Sequence, residues 1–118
     1  MAGMEILASF ADTDAATAND LAGDLAGWLR QEVPRVAARQ LRNDPLAQDV
    51  GTVVAIIAGT SSFAALARGV AVWLARRQDA RLLLRRKFSD GEERELFIAG
   101  PPGRRTERLV QAFLEDGA

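Results

Sequence analysis

A chain of 118 residues, 48% hydrophobic and 26% charged, with ten glycines and four prolines, has an ordinary globular composition and enough length for one core without a disulfide or metal. It holds no cysteine and no histidine, which excludes thiol catalysis, iron–sulfur ligation, histidine general-base chemistry and nearly every zinc or haem site. The net charge of −1 conceals a gradient: residues 1–59 carry eight acids against four arginines, and residues 60–118 carry eleven bases against eight acids.

In chain order, Met4 to Phe10 (MEILASF) alternates Met4, Ile6, Ala8 and Phe10 on one side and predicts a strand; Leu7 on the other side hints at burial on both faces. This start has no basic stretch and no long apolar core, so a secretory signal is not expected and the protein is read as cytoplasmic. Asp12, Thr13 and Asp14 offer turn and capping chemistry, and Leu21, Leu25, Trp28 and Leu29 follow at helical spacing up to Glu32. Gly23 and Gly27, one turn apart, suggest close approach of another element on that side. Pro34 ends the helix, because the residue before a proline is pushed out of helical geometry. Arg35 to Arg42 reads as a second strand, and a strand, helix, strand order implies a right-handed crossover between two parallel strands.

Asp44-Pro45 is a good helix opening, and Leu46, Val50, Val53, Val54 and Ile57 recur at helical spacing, so a helix is favoured here. A strand over Thr52 to Ala58 (TVVAIIA) is the runner-up, supported by its β-branched residues. Gly59-Thr60-Ser61-Ser62 interrupts the pattern before a second helical stripe of Phe63, Leu66, Val70, Trp73 and Leu74 that runs to Arg76-Arg77. A single helix from Pro45 to Arg77 would be about 50 Å long, so two helices or a sharply bent one fit better. Thr60 or Ser61 is expected as an N-cap; the segment lacks the lysine and spacing of a phosphate-binding loop, and Ser61 has no histidine or nearby lysine to activate it. Val50 to Ala67 is uncharged for eighteen residues, which raises a membrane-associated alternative through residues 50–74; the polar break and Arg68 make a core helix the preferred reading.

Arg81 to Phe88 and Glu93 to Ala99 flank Ser89-Asp90-Gly91-Glu92, and Asp-Gly is the preferred residue pair of a tight hairpin. A two-residue turn there pairs Phe88 with Glu93, Arg86 with Glu95, Leu84 with Phe97 and Leu82 with Ala99 on one face, and Lys87 with Arg94, Arg85 with Leu96 and Leu83 with Ile98 on the other. The apolar surface of Leu83, Leu96 and Ile98 then needs a cover, from a second layer or from a partner subunit such as a second copy. After Pro101-Pro102-Gly103, Arg104 to Glu115 forms an amphipathic helix with Thr106, Leu109, Val110, Phe113 and Leu114 on one side. The expected architecture is one α/β (α+β) domain over residues 1–118, ordered β-α-β-α(α)-β-β-α, with a mixed sheet, a C-terminal hairpin and helices packed on it.

For function, Arg68 to Lys87 sets seven bases against Asp79 alone. Arg76, Arg77, Arg81, Arg85, Arg86 and Lys87 are therefore a candidate surface for an acidic partner or an anion, with a solvated face as the plainer reading. No aromatic residues interleave with them, which disfavours nucleic acid. The close carboxylates, Asp12 with Asp14 and Glu92, Glu93 and Glu95, read as turn, cap and cross-strand residues. No enzyme activity and no cofactor are expected.

Leu25, Trp28 and Leu29, the Gly59 to Ser62 break before Ala65-Leu66-Ala67, Val72-Trp73-Leu74 leading into Arg76-Arg77, and the hairpin with Asp90-Gly91 together resemble the effector-associated constant components of bacterial, mainly actinobacterial, NTP-dependent conflict systems. The resemblance spans Met4 to Leu114; the run of glycines associated with that family is missing at Gly59 to Ser62. It implies a non-enzymatic adaptor that couples an effector encoded nearby, such as a caspase-like or trypsin-like protease, to its regulator, and it carries no site residue with it.

Overall fold

The computed structural model describes residues 4–42, 52–77, 80–87, 93–99 and 104–115. The first strand, β1 (Met4–Phe10), buries Ile6 and Ala8 on one side as its alternation requires. The first helix, α1 (Ala15–Glu32), starts where Asp14 Oδ1 accepts the Thr17 N–H at 2.7 Å, satisfying an otherwise unpartnered donor of the first turn. Asp12, at the turn before it, takes a left-handed φ of 56°, which a short aspartate tolerates better than most residues. The helix stops at Val33, one residue before Pro34, and β2 (Ala37–Arg42) follows.

The favoured helix over residues 45–57 is not what forms: β3 (Thr52–Ala58) occupies the second half of that stretch, and Asp44, Pro45, Leu46 and Val50 lie outside the described residues. In a run as uniformly apolar as TVVAIIA, helical and alternating templates both find matches. The β-branched Val53, Val54, Ile56 and Ile57 decide for strand because their stiff side chains crowd a helix and fit a pleated sheet.

A short 3-10 turn (Thr60–Ser62) leads into α2 (Phe63–Arg76). Neither Thr60 nor Ser61 caps it; Ser62 stands at that position without a side-chain bond. The C-terminal hairpin is β4 (Leu82–Lys87) and β5 (Glu93–Ile98), and α3 (Arg104–Glu115) closes the described chain.

The five strands form one sheet in the order β2-β3-β1-β4-β5, antiparallel at every pairing. The expected mixed sheet with β1 beside β2 is therefore corrected: the two run in the same direction, but β3 inserts between them. The class is α+β, in the order β-α-β-β-α-β-β-α.

The hairpin register is also one residue off the expected one. Leu82 pairs with Ile98, Leu83 with Phe97, Leu84 with Leu96 and Arg85 with Glu95. The tight turn at Asp90-Gly91 lies outside the described residues, but the paired ends Lys87 and Glu93 enclose five residues where the two-residue turn leaves four between Phe88 and Glu93. A one-residue slip moves a whole strand face to the other side of the sheet. Here it brings Leu96 and Ile98 onto the side of Leu82 and Leu84, where they join the core.

That core lies between one sheet face and the helices. Ile6, Ala8, Val54, Ile56, Leu82, Leu84 and Ile98 meet Leu25 and Leu29 of α1, Leu66, Val70 and Trp73 of α2, and Val110 and Leu114 of α3. Leu109, expected on the apolar side of α3, is 46% exposed, because burial follows Thr106, Val110 and Leu114 at four-residue intervals. Close approach between the helices is made at Gly69, while at Gly23 it is β2 that comes near, a Cβ there standing 3.2 Å from Gln40 Oε1. A Cβ on Gly69 would stand 2.8 Å from Val33 Cγ2, whereas one on Gly27 would meet nothing within 4 Å.

Candidate interaction surface

The basic segment is spread over several surfaces. Arg68 and Arg76 project from α2, Arg77 stands at its C-cap, Arg81 precedes β4, and Arg85 and Arg86 point to opposite faces of β4. Three of these arginines are matched by acids: Arg77 Nη2 with Asp24 Oδ2 at 2.8 Å, Arg81 Nη1 with Asp12 Oδ2 at 2.6 Å, and Arg85 Nε with Glu95 Oε1 at 3.3 Å. Arg76 lies over the Trp28 ring, 4.8 Å from its centroid. Arg76, Arg77 and Arg81 do meet, in a cleft of about 440 Å³ beside the β1–α1 turn that also contains Asp12.

Arg86 leaves the surface altogether. It is 6% exposed and its Nη1 donates to the Leu114 and Phe113 carbonyls at 2.8 and 3.3 Å, so it closes the C-terminal end of α3, where a cation suits the helix dipole. Burial, and then the neighbouring Arg94, push its pKa down from the usual arginine value. Its assignment to a partner surface is corrected accordingly. Lys87 ends β4 in register with Glu93, and its side chain lies outside the described residues.

A second cleft, about 480 Å³, opens between α1 and α2 over Gly23 and Gly27. Trp73 is buried, and an indole N–H in that position needs an acceptor. Asp24 supplies it: Trp73 Nε1 donates to Asp24 Oδ2 at 2.7 Å, and Arg77 approaches the same oxygen. The Trp73 bond, and next the Arg77 bond, hold the Asp24 carboxyl below its ordinary pKa. Trp28 Nε1 donates to the Gly69 carbonyl at 3.0 Å. These groups satisfy one another and tie α1 to α2. Sequence reasoning missed the Asp24–Trp73 pair, although Asp24 and Trp28, and Trp73 and Arg77, each stand four apart and so share a helix side. Among the described residues no three acidic side chains converge as a metal site would require.

The other sheet face is different in kind. Glu5, Leu7 and Ser9 of β1, Val53, Ala55 and Ile57 of β3, Leu83 and Arg85 of β4, and Glu95 and Phe97 of β5 alternate away from the helices, and no described element covers them. Ile57 is 46% and Phe97 51% exposed, large values for such side chains. Leu83 belongs to this face as expected; Leu96 and Ile98 do not, and Phe97 stands beside Leu83 in their place. The signal was present in the apolar residues on both sides of MEILASF and TVVAIIA, since helices on one side leave half of them without a cover.

Residues 50–74 do not make a span: their described part is β3, the 3-10 turn and α2, and among the described residues no helix is long and apolar enough to cross a membrane. Compared with family models, with curated proteins and with solved structures, the chain matches none.

Proposed function

We propose that the chain is a non-enzymatic protein-interaction module of adaptor type, and that the open face of its sheet is the surface through which it works. The observation that carries this reading is the apolar strip of Leu41, Val53, Leu83 and Phe97, interrupted only by Ser9 of the middle strand and flanked by Leu7 in the next row, on a face that no described element covers. A strip of this kind has a free-energy gain to make by meeting another apolar surface. The resemblance to effector-associated components supports an effector protein encoded nearby as what the adaptor serves, acting in the cytoplasm.

The experiment is co-expression with the products of adjacent reading frames. Ile57→Lys or Phe97→Glu should lower recovery of the neighbour at least about tenfold while circular dichroism stays that of the wild type; unchanged recovery sinks the role of this face. An anion-binding reading rests on the cleft of Arg76, Arg77 and Arg81. It is the weaker one, since carboxylates already hold Arg77 and Arg81. It predicts a steep loss of phosphate or oligonucleotide binding with salt.

A further inference from the structure

We propose, resting on the reading of the open face as an interaction surface, that its occupant is a second copy of this chain, packed face to face about a two-fold axis parallel to the strands. The pattern across the sheet carries the inference. Arg39, Ala55, Leu7, Arg85 and Glu95 stand in register as one row from edge to edge. A two-fold axis running along β1 lays β2 over the partner's β5 and β3 over its β4, and keeps each row over itself. Arg39 of one copy then meets Glu95 of the other, twice by symmetry, and Leu7 meets Leu7. In the next row, Leu41 and Val53 at one side face Phe97 and Leu83 at the other. In that row apolar residues thus land on apolar residues, with Ser9 on Ser9 between them; in the Leu7 row the outermost charge lands on its opposite and Ala55 faces Arg85.

The alternative two-fold axis, across the strands along this same row, sets Arg39 on Arg39, Arg85 on Arg85 and Glu95 on Glu95. Like charges directly opposed are costly, so the charge pattern selects the first axis. Aligned packing of two twisted sheets, about 10 Å apart and within about 30° of parallel, is the ordinary geometry for such faces. Five strands about 4.8 Å apart and six residues long give a footprint of roughly 400–500 Å² per copy. That is near half of the ~800 Å² per partner of a standard stable interface, so the dimer is reversible and concentration-dependent. Glu5, which lies on β1 in register with Ile57, meets its own copy near the axis and weakens one end.

Sedimentation of the purified full chain across a wide concentration range tests this. A monomer–dimer equilibrium is expected; Phe97→Glu should abolish it. Arg39→Glu or Glu95→Arg alone should weaken dimerisation by about tenfold, and the double reversal in one chain should recover the Arg39–Glu95 share of the loss, the Arg85–Glu95 pair within each copy staying broken. Glu5→Gln should tighten it. A monomer at every concentration overturns the proposal, and so does a dimer indifferent to the single charge reversals, because the across-strand axis predicts that indifference. The two readings remain separable. If the chain is monomeric while Phe97→Glu still loses the neighbouring protein, the face docks that protein and only the second-copy proposal falls. If the dimer behaves as expected and the neighbour is unaffected, the adaptor role of the face fails instead.

Discussion

Leu83 and Leu84 are adjacent in β4 and chemically identical, yet Leu84 is 2% exposed beneath the helices and Leu83 stands half-buried on a face with no described cover. The same contrast separates Arg86, which closes the end of α3, from Arg85, which pairs with Glu95 on the open side. One strand therefore carries both a face packed into the core and a face left open by the helices, divided by alternation alone. A residue's type says little about which role it has; its parity along the strand says nearly all of it.

The largest expected effect tests that division directly. Leu84→Ala should cost about 3 kcal/mol, from lost burial and an unfilled cavity, whereas Leu83→Ala should cost under about 1 kcal/mol in urea denaturation of dilute monomer. Equal losses would mean that the open face is covered within the chain. Arg86→Ala comes next, at about 2 kcal/mol, because it deletes charged hydrogen bonds to the last carbonyls of α3 together with a packed aliphatic stem. Arg86→Met, which keeps the stem, should lose less, and Arg85→Ala should stay within about 0.5 kcal/mol as a solvent-screened pair does. Gly69→Ala should cost about 1–2 kcal/mol, since its Cβ cannot fit beside the stiff Val33 without moving α2 from α1. If Gly69→Ala is instead stabilising, as helix propensity alone would have it, the helix layer is looser than its geometry shows.

Much of this organisation was legible in the residues. The bounds of β1, α1, α2 and α3 follow from alternation, from the Asp14 cap, from Pro34 and from the stripe of Phe63 to Leu74. What failed was whatever depended on a partner element distant in sequence. β3 was ambiguous because a strand apolar on both sides has no period to read, and its insertion between β1 and β2 is a tertiary fact. The hairpin register failed because Asp90-Gly91 suggested the shortest turn, while burial of Leu82, Leu84 and Ile98 on one face selects a register one residue away. The open face was expected from Leu83, but its members changed with that register. Arg86 was misplaced for the same reason that hid the Asp24–Trp73 pair: a local count of charges does not show which are turned inward.

The smallest effect lies at the rim of the covered side. Asp24 is half-exposed, so its worth is that of a screened, charge-assisted acceptor for Trp73, about 1 kcal/mol for Asp24→Ala at neutral pH. Its pKa in the folded protein is lowered from 3.8, so the folded state binds its proton less tightly than the unfolded chain does. The stabilisation is therefore complete above about pH 4 to 5 and is lost as pH falls through 3.8 toward the lower folded value. Asp24→Asn keeps an acceptor for the indole and removes the titration. Urea denaturation of wild type and Asp24→Asn at pH 7 and pH 3 should show the wild type ahead at pH 7 and the gap closed or narrowed at pH 3. A gap that is the same at both would show that the carboxylate charge contributes nothing and that Trp73 needs only a neutral oxygen. Asp14, whose pKa is lowered by the Thr17 backbone bond, titrates in the same direction in both proteins and cancels from the difference.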